Sequence, residues 1–153
     1  CLNTGGLMQI GLYSESARKH IVQIRDEIEQ SNIESSYDAM KLFRNKIASS
    51  EEEHHKRVVS SFDFYNMSTL RDLLFHVQEH RFTIPQIEDS LTQLGLVFCG
   101  FKNREVVQNF KLENSTETAL YDLEKWDSYE KENPSVFARM YQFCCQKEGR
   151  KTL

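Results

Sequence analysis

Gly5-Gly6-Leu7-Met8-Gln9-Ile10-Gly11-Leu12-Tyr13-Ser14 is the stretch on which the fold turns. Two glycines form a turn, and a short, nearly all-apolar run follows directly. Such a run reads as a strand buried on both faces, inside a parallel sheet with helices above and below. Only two later segments read as strands, Leu96-Val97-Phe98-Cys99-Gly100-Phe101 and the run from Met140 to Gln146. Three strands are few for a sheet covered on both sides. The chain therefore reads as the second half of an α/β domain, most of whose sheet would precede Cys1.

Helical periodicity fills most of the remainder. Ser14 is placed to cap a helix in which Ala17, Ile21, Ile24 and Ile28 recur on one face up to about Gln30. A second helix runs from Ser36 with Met40, Phe43 and Ile47 as its stripe. The charged run from Glu51 to Arg57 reads as a solvated helix start or loop. Its His54–His55 pair makes a poor metal site, because adjacent helical residues diverge by about 100°. Residues 62–67 are aromatic and turn-like. Ser68 or Thr69 caps a helix from Leu70 to about His80, with Leu70, Leu73, Leu74 and Val77 on its apolar face. Ile84-Pro85 opens another, carrying Ile87, Leu91 and Leu94, and Gly95 closes it. The stretch from Arg104 to Glu113 is helical or mixed. An acidic helix follows from Thr116 to Lys131, with Leu120, Leu123 and Trp126 inward. Asn133-Pro134 breaks the chain, and a short helix from Ser135 leads to the last apolar run. The organisation is one partial domain: a strand over 1–14, a helical insertion over 15–83, and a return to the sheet over 84–153.

With 153 residues, 39% of them hydrophobic, the chain can bury one core. Its 19 basic and 23 acidic side chains give a net charge of −4, which argues against nucleic acid or an anionic membrane as partner. The basic residues Lys147, Arg150 and Lys151 read as a solvated tail. The four cysteines show no C-x-x-C spacing, and Cys144 and Cys145 are adjacent. They read as reduced thiols in a cytoplasmic protein. No apolar run approaches membrane-spanning length, and no signal region is visible.

Against this pattern, the run from Gly5 to Ser14 resembles the fifth strand of a class I S-adenosylmethionine-dependent methyltransferase. In that family a Lys-Pro-Gly-Gly turn precedes the strand; here Asn3-Thr4 stands in place of Lys-Pro. The segment from Arg71 to Ile87, Arg-Asp-Leu-Leu-Phe-His-Val-Gln-Glu-His-Arg-Phe-Thr-Ile-Pro-Gln-Ile, is more specific. It is similar to a segment of a bacterial subgroup often fused to tetratricopeptide repeats. Met140-Tyr141-Gln142-Phe143 resembles that subgroup's last strand. The resemblance covers the whole chain but only the C-terminal part of the family's catalytic domain. It implies a Rossmann-like sheet of three mixed strands in the order first–third–second, with the last strand antiparallel between the other two. It further implies that the large helical insertion covers the acceptor pocket.

Family members hold the cofactor on a Gly-rich turn after the first strand, where backbone amides approach the ligand closely. The six glycines here contain no Gly-x-Gly. The resemblance therefore implies the acceptor-substrate side of a methyltransferase, with S-adenosylmethionine belonging to the complete protein and not bound by this fragment. Alone, the fragment is expected to be inactive. Its first partner would be the missing upstream half of its own domain.

Other readings compete. The chain could be a helical protein-interaction module, since helices outnumber strands. His76-Val77-Gln78-Glu79-His80 also spells H-x-x-E-H, the pattern of inverted zinc peptidases, but no third ligand stands out. As ordinary helix flank, the same stretch would pair Asp72 with His76. As substrate-side groups, Arg71, His76, Glu79 and His80 would face the acceptor pocket. Tyr13 and Ser14, at a strand end, are also substrate-side candidates, or else a core aromatic and a helix cap. No catalytic, cofactor-binding or metal residue is assigned. The outer edge of the strand from Leu7 to Tyr13 has no partner in this reading, so a homodimer through that edge is expected.

Overall fold

The computed structural model describes residues 2–75, 78–138 and 140–148. The architecture is mixed α/β, with a four-stranded sheet built from β1 (Leu7–Ser14), β2 (Arg81–Phe82), β3 (Leu96–Phe101) and β4 (Met140–Lys147) in the order β2-β1-β4-β3. β4 lies antiparallel between β1 and β3, in the order expected for the first, third and second strands. The expected number of strands is corrected from three to four. β2 pairs parallel with the end of β1, Tyr13 opposite Arg81 and Ser14 opposite Phe82. A two-residue strand has no hydrophobic period to read, which is why the sequence conceals it.

The chain divides into two compact units, one formed by Cys1–Ala17 with His80–Leu153 and the other by Arg18–Glu79. In the first, the Gly-Gly turn holds. Gly5 has φ 75°, and a side chain at Gly6 would press within 2.8 Å of the Asn3 carbonyl oxygen. The double burial expected for β1 does not hold. Ile10 and Leu12 pack against the core, whereas Leu7 is 68% exposed and Met8 and Tyr13 are also open. β1 is covered on one face only.

That core gathers around Trp126. Its ring stacks on Phe110 at 3.7 Å, Phe101 meets it edge-on, and its indole N–H donates to the Leu120 carbonyl. The elements behind it are α5 (Ile84–Gln93), α6 (Arg104–Glu113) and α7 (Leu123–Glu132). Thr83 caps α5 through a reciprocal box with Gln86, and Gly95 ends it at φ 62°. Leu94, expected on the apolar stripe, is exposed because it is the residue that closes the helix. The expected helix from Thr116 is two pieces. A 3₁₀ turn over Glu117–Tyr121 gives way at Asp122, whose carboxylate accepts from the Lys125 N–H and starts α7. After Pro134 the chain forms turns rather than a helix.

The second unit is helical: α1 (Lys19–Gln30), α2 (Tyr37–Ala48), α3 (Glu53–Val59) and the single turn α4 (Met67–Leu70). Ile24, Phe43, Ile47, Val58, Leu70 and Leu74 form its core. Ser36 caps α2 as expected. Ser14 does not start α1. It ends β1, and its Oγ accepts from the Ala17 N–H in the turn that follows. The helix expected from Leu70 to His80 widens into a π turn over Arg71–Phe75, and residues 78–80 are not helical. Among the described residues, no helix is long and apolar enough to cross a membrane.

Candidate functional site

β1 and β3 are both antiparallel to β4, so they run parallel to each other and end on the same side of the sheet, where β4 begins. Open α/β sheets bind ligands at that carboxyl end. A cleft of about 290 Å³ lies there, lined by Phe101, Asn103, Phe137, Ala138, Met140 and Gln142. The Phe101 and Phe137 rings meet at 4.6 Å and form an aromatic wall. Asn103 is fixed by its role as N-cap of α6, accepting from the Glu105 and Val106 N–H groups. Ala138 sits at φ 56°, a left-handed conformation that costs a residue with a Cβ. Sequence reasoning missed this cleft, whose residues come from the two ends of the stretch from Phe101 to Gln142.

Beside this aromatic wall is a buried polar cluster. Ser14 Oγ donates to Glu130 Oε1 at 2.8 Å, and the Tyr141 hydroxyl donates to both Glu130 oxygens, at 2.9 and 2.7 Å. The Tyr141 ring contacts Phe137 edge-on at 4.8 Å. Burial above all pushes the Tyr141 hydroxyl far above its ordinary pKa; the hydrogen bond with Ser14 opposes this, and the Glu130 carboxylate adds to the rise. Tyr141 therefore stays a neutral donor, and Glu130 is held by hydroxyls from β1 and β4. Of the two strand-end candidates, Ser14 is enclosed in this cluster and Tyr13 is 40% exposed.

The remaining candidates separate. Glu79 is engaged by two arginines. Arg18 grips it with both arms of its guanidinium, Nε to Oε1 at 2.7 Å and Nη2 to Oε2 at 2.5 Å. Arg25 reaches the same carboxylate at 3.1 Å and also donates twice to the Leu73 carbonyl in the π turn. Burial raises the Glu79 pKa, but the two arginines prevail and hold it below the ordinary range. The arrangement ties α1 to the end of the unit. Arg71 is likewise engaged, donating to the Ser35 carbonyl at 2.6 Å. His80 is exposed, and His76 lies outside the described residues, as does its expected pairing with Asp72. Residues 78–80 of the H-x-x-E-H stretch are not helical, and Glu79 is paired to Arg18 and Arg25.

A fourth group, read from sequence as unfavourable, is assembled by the fold. His54 and His55 both reach Glu27 of α1, Nε2 to Oε1 at 2.5 Å and Nε2 to Oε2 at 3.0 Å. The two rings lie 4.2 Å apart, tilted by 46°. His55 is buried and its Nδ1 meets Ser50 Oγ at 2.7 Å. Burial pushes the Glu27 carboxyl up, and hydrogen bonds and charge from both histidines override it, leaving a net lowering. The 100° divergence of adjacent residues is a statement about Cβ directions. At the first turn of α3 the long imidazole side chains bend back to a common partner, which the sequence places 27 positions earlier.

Among the described residues, no strand is followed by a glycine-rich turn. β1 leads through Glu15, Ser16 and Ala17, and β3 through Lys102 and Asn103. No step through S-adenosylmethionine follows from the described residues. The chain matches no protein-family model and no curated protein sequence.

Proposed function

We propose that the chain is the acceptor-substrate side of an S-adenosylmethionine-dependent methyltransferase whose cofactor turn is not among these residues. One observation carries the reading: β4 lies antiparallel between two mutually parallel strands, β1 and β3. This is the arrangement the resemblance implies for the last three strands of that fold. The acceptor would occupy the cleft of Phe101, Phe137 and Met140, a space suited to a small, largely apolar group. Ser14, Glu130 and Tyr141 support its wall rather than react.

The test is methyl transfer. The product of the complete reading frame is incubated with S-adenosylmethionine labelled in its methyl group and fractionated cell extract. Label in an acceptor, lost when Met140→Trp fills the cleft while cofactor binding persists, supports the reading. A complete frame without a Gly-x-Gly turn after a strand, or one that binds no cofactor, overturns it.

A second reading, a helical interaction module, draws on the unit Arg18–Glu79, which has its own core and leaves Tyr37, Leu42, Phe62 and Tyr65 exposed. It predicts that Leu42→Glu removes the protein's cellular effect while methyl transfer is absent throughout.

A further inference from the structure

We propose that Glu27, His54 and His55 form a binding site for a divalent transition-metal ion of the zinc class, clamping α3 to α1. Their ligand atoms all lie within 4.8 Å of one another. Two imidazole nitrogens and a carboxylate are the donor set that zinc, cobalt and nickel share, whereas magnesium and calcium prefer all-oxygen sites. Bonds of about 2.0–2.2 Å would bring the donors to separations of about 3.4 Å in a tetrahedral site. Rotation of the Glu27 and His54 side chains, both half-buried, supplies the adjustment: the carboxylate oxygens move out from 2.5 and 3.0 Å while the two ring nitrogens, within 4.8 Å, draw together.

The surroundings match what a metal-binding histidine requires. A ligating imidazole is neutral, turns one nitrogen to the ion and donates the other N–H to a fixed acceptor. The tautomer of His55 that carries its proton on Nδ1 meets this requirement. Its Nε2 faces Glu27, and its Nδ1 meets Ser50 Oγ, a hydroxyl itself held by the Glu52 N–H at 3.2 Å. The ring is buried, so its direction is set by packing. A divalent ion between the rings and Glu27 would be bound by both Nε2 atoms and the carboxylate. The exposed side leaves the fourth position to water. The site does not depend on the methyltransferase reading.

Calorimetric titration of zinc chloride into metal-free protein comprising residues 1–153 tests this. One equivalent is expected to bind with micromolar affinity, magnesium is not expected to bind, and the unfolding temperature should rise with zinc. Glu27→Gln and His54→Ala, each checked for retained circular dichroism, should each weaken binding about tenfold or more. Ser50→Ala, which touches no metal, should weaken it by a smaller factor. Cobalt serves as a second readout on the unsubstituted chain, where visible ligand-field bands should appear at one equivalent. Absence of zinc binding overturns the proposal. So does zinc binding that survives Glu27→Gln and His54→Ala but is lost in the double variant His76→Ala, His80→Ala, which would place the ion on the H-x-x-E-H stretch.

Discussion

Glu79 shows how a polar residue that looks functional in sequence can be structural. Its carboxylate sits between Arg18 and Arg25, with both side chains of the closer pair almost fully buried. Glu79→Gln removes the anion that Arg18 and Arg25 share in a buried setting and should cost about 3 kcal/mol in urea unfolding. The pH dependence has a defined sign. The folded pKa lies below the ordinary 4.5, so the contribution is full above that value. It declines as the pH falls and is gone once the folded carboxyl is protonated. Unfolding measured between pH 3 and 7 should show an acid loss of stability that Glu79→Gln flattens. Tyr141→Phe makes a parallel case. It removes the hydroxyl that donates to Glu130 and should cost about 2 kcal/mol by the same assay. No change on that substitution would mean Glu130 is satisfied without Tyr141.

At the scale of elements, the open edge of β1 carries the next prediction. β2 covers only Tyr13 and Ser14, so among the described residues positions 7–12 have no strand partner on that side. Leu7 and Met8 are exposed there, with no proline and no charge to discourage pairing. We propose that two copies pair along this edge by a two-fold axis. Sedimentation at tens of micromolar should show a dimer that Leu7→Lys dissolves without affecting the core, and an 18.0 kDa monomer would contradict it. Ile10 is unsuited to the test because it packs inward.

The elements also separate what sequence can and cannot reveal. The stripes Ile21-Ile24-Ile28 and Met40-Phe43-Ile47 were legible because helical burial repeats locally, and the described core contains all six. β3 and β4 were legible as apolar runs. The sheet order came from the resemblance, since nothing local encodes which strand sits between two others. β2, the cleft and the partners of Glu79 and Glu27 were not legible. Arg18 and Glu79 are 61 positions apart, and no periodic signal spans such a distance.

The molecule as a whole has two cores, one centred on Trp126 and one on the stripes of α1 and α2. The first contains the cleft at the carboxyl ends of β1 and β3; the second contains the Glu27–His54–His55 group. Each can be perturbed through its own residues. Trp126→Ala should cost about 4 kcal/mol in the unit holding the cleft, given the stacked and edge contacts it makes. Zinc affinity, read at a low temperature where the protein remains folded, should be unchanged.

We propose that these residues supply the acceptor side of a methyltransferase and not its cofactor turn. Calorimetric titration of S-adenosylmethionine tests it directly when run on residues 1–153 and on the product of the complete reading frame. One-to-one binding by the complete product and no measurable heat with residues 1–153 are the expected results. Micromolar one-to-one binding by residues 1–153, or no binding by the complete product, would contradict the proposal.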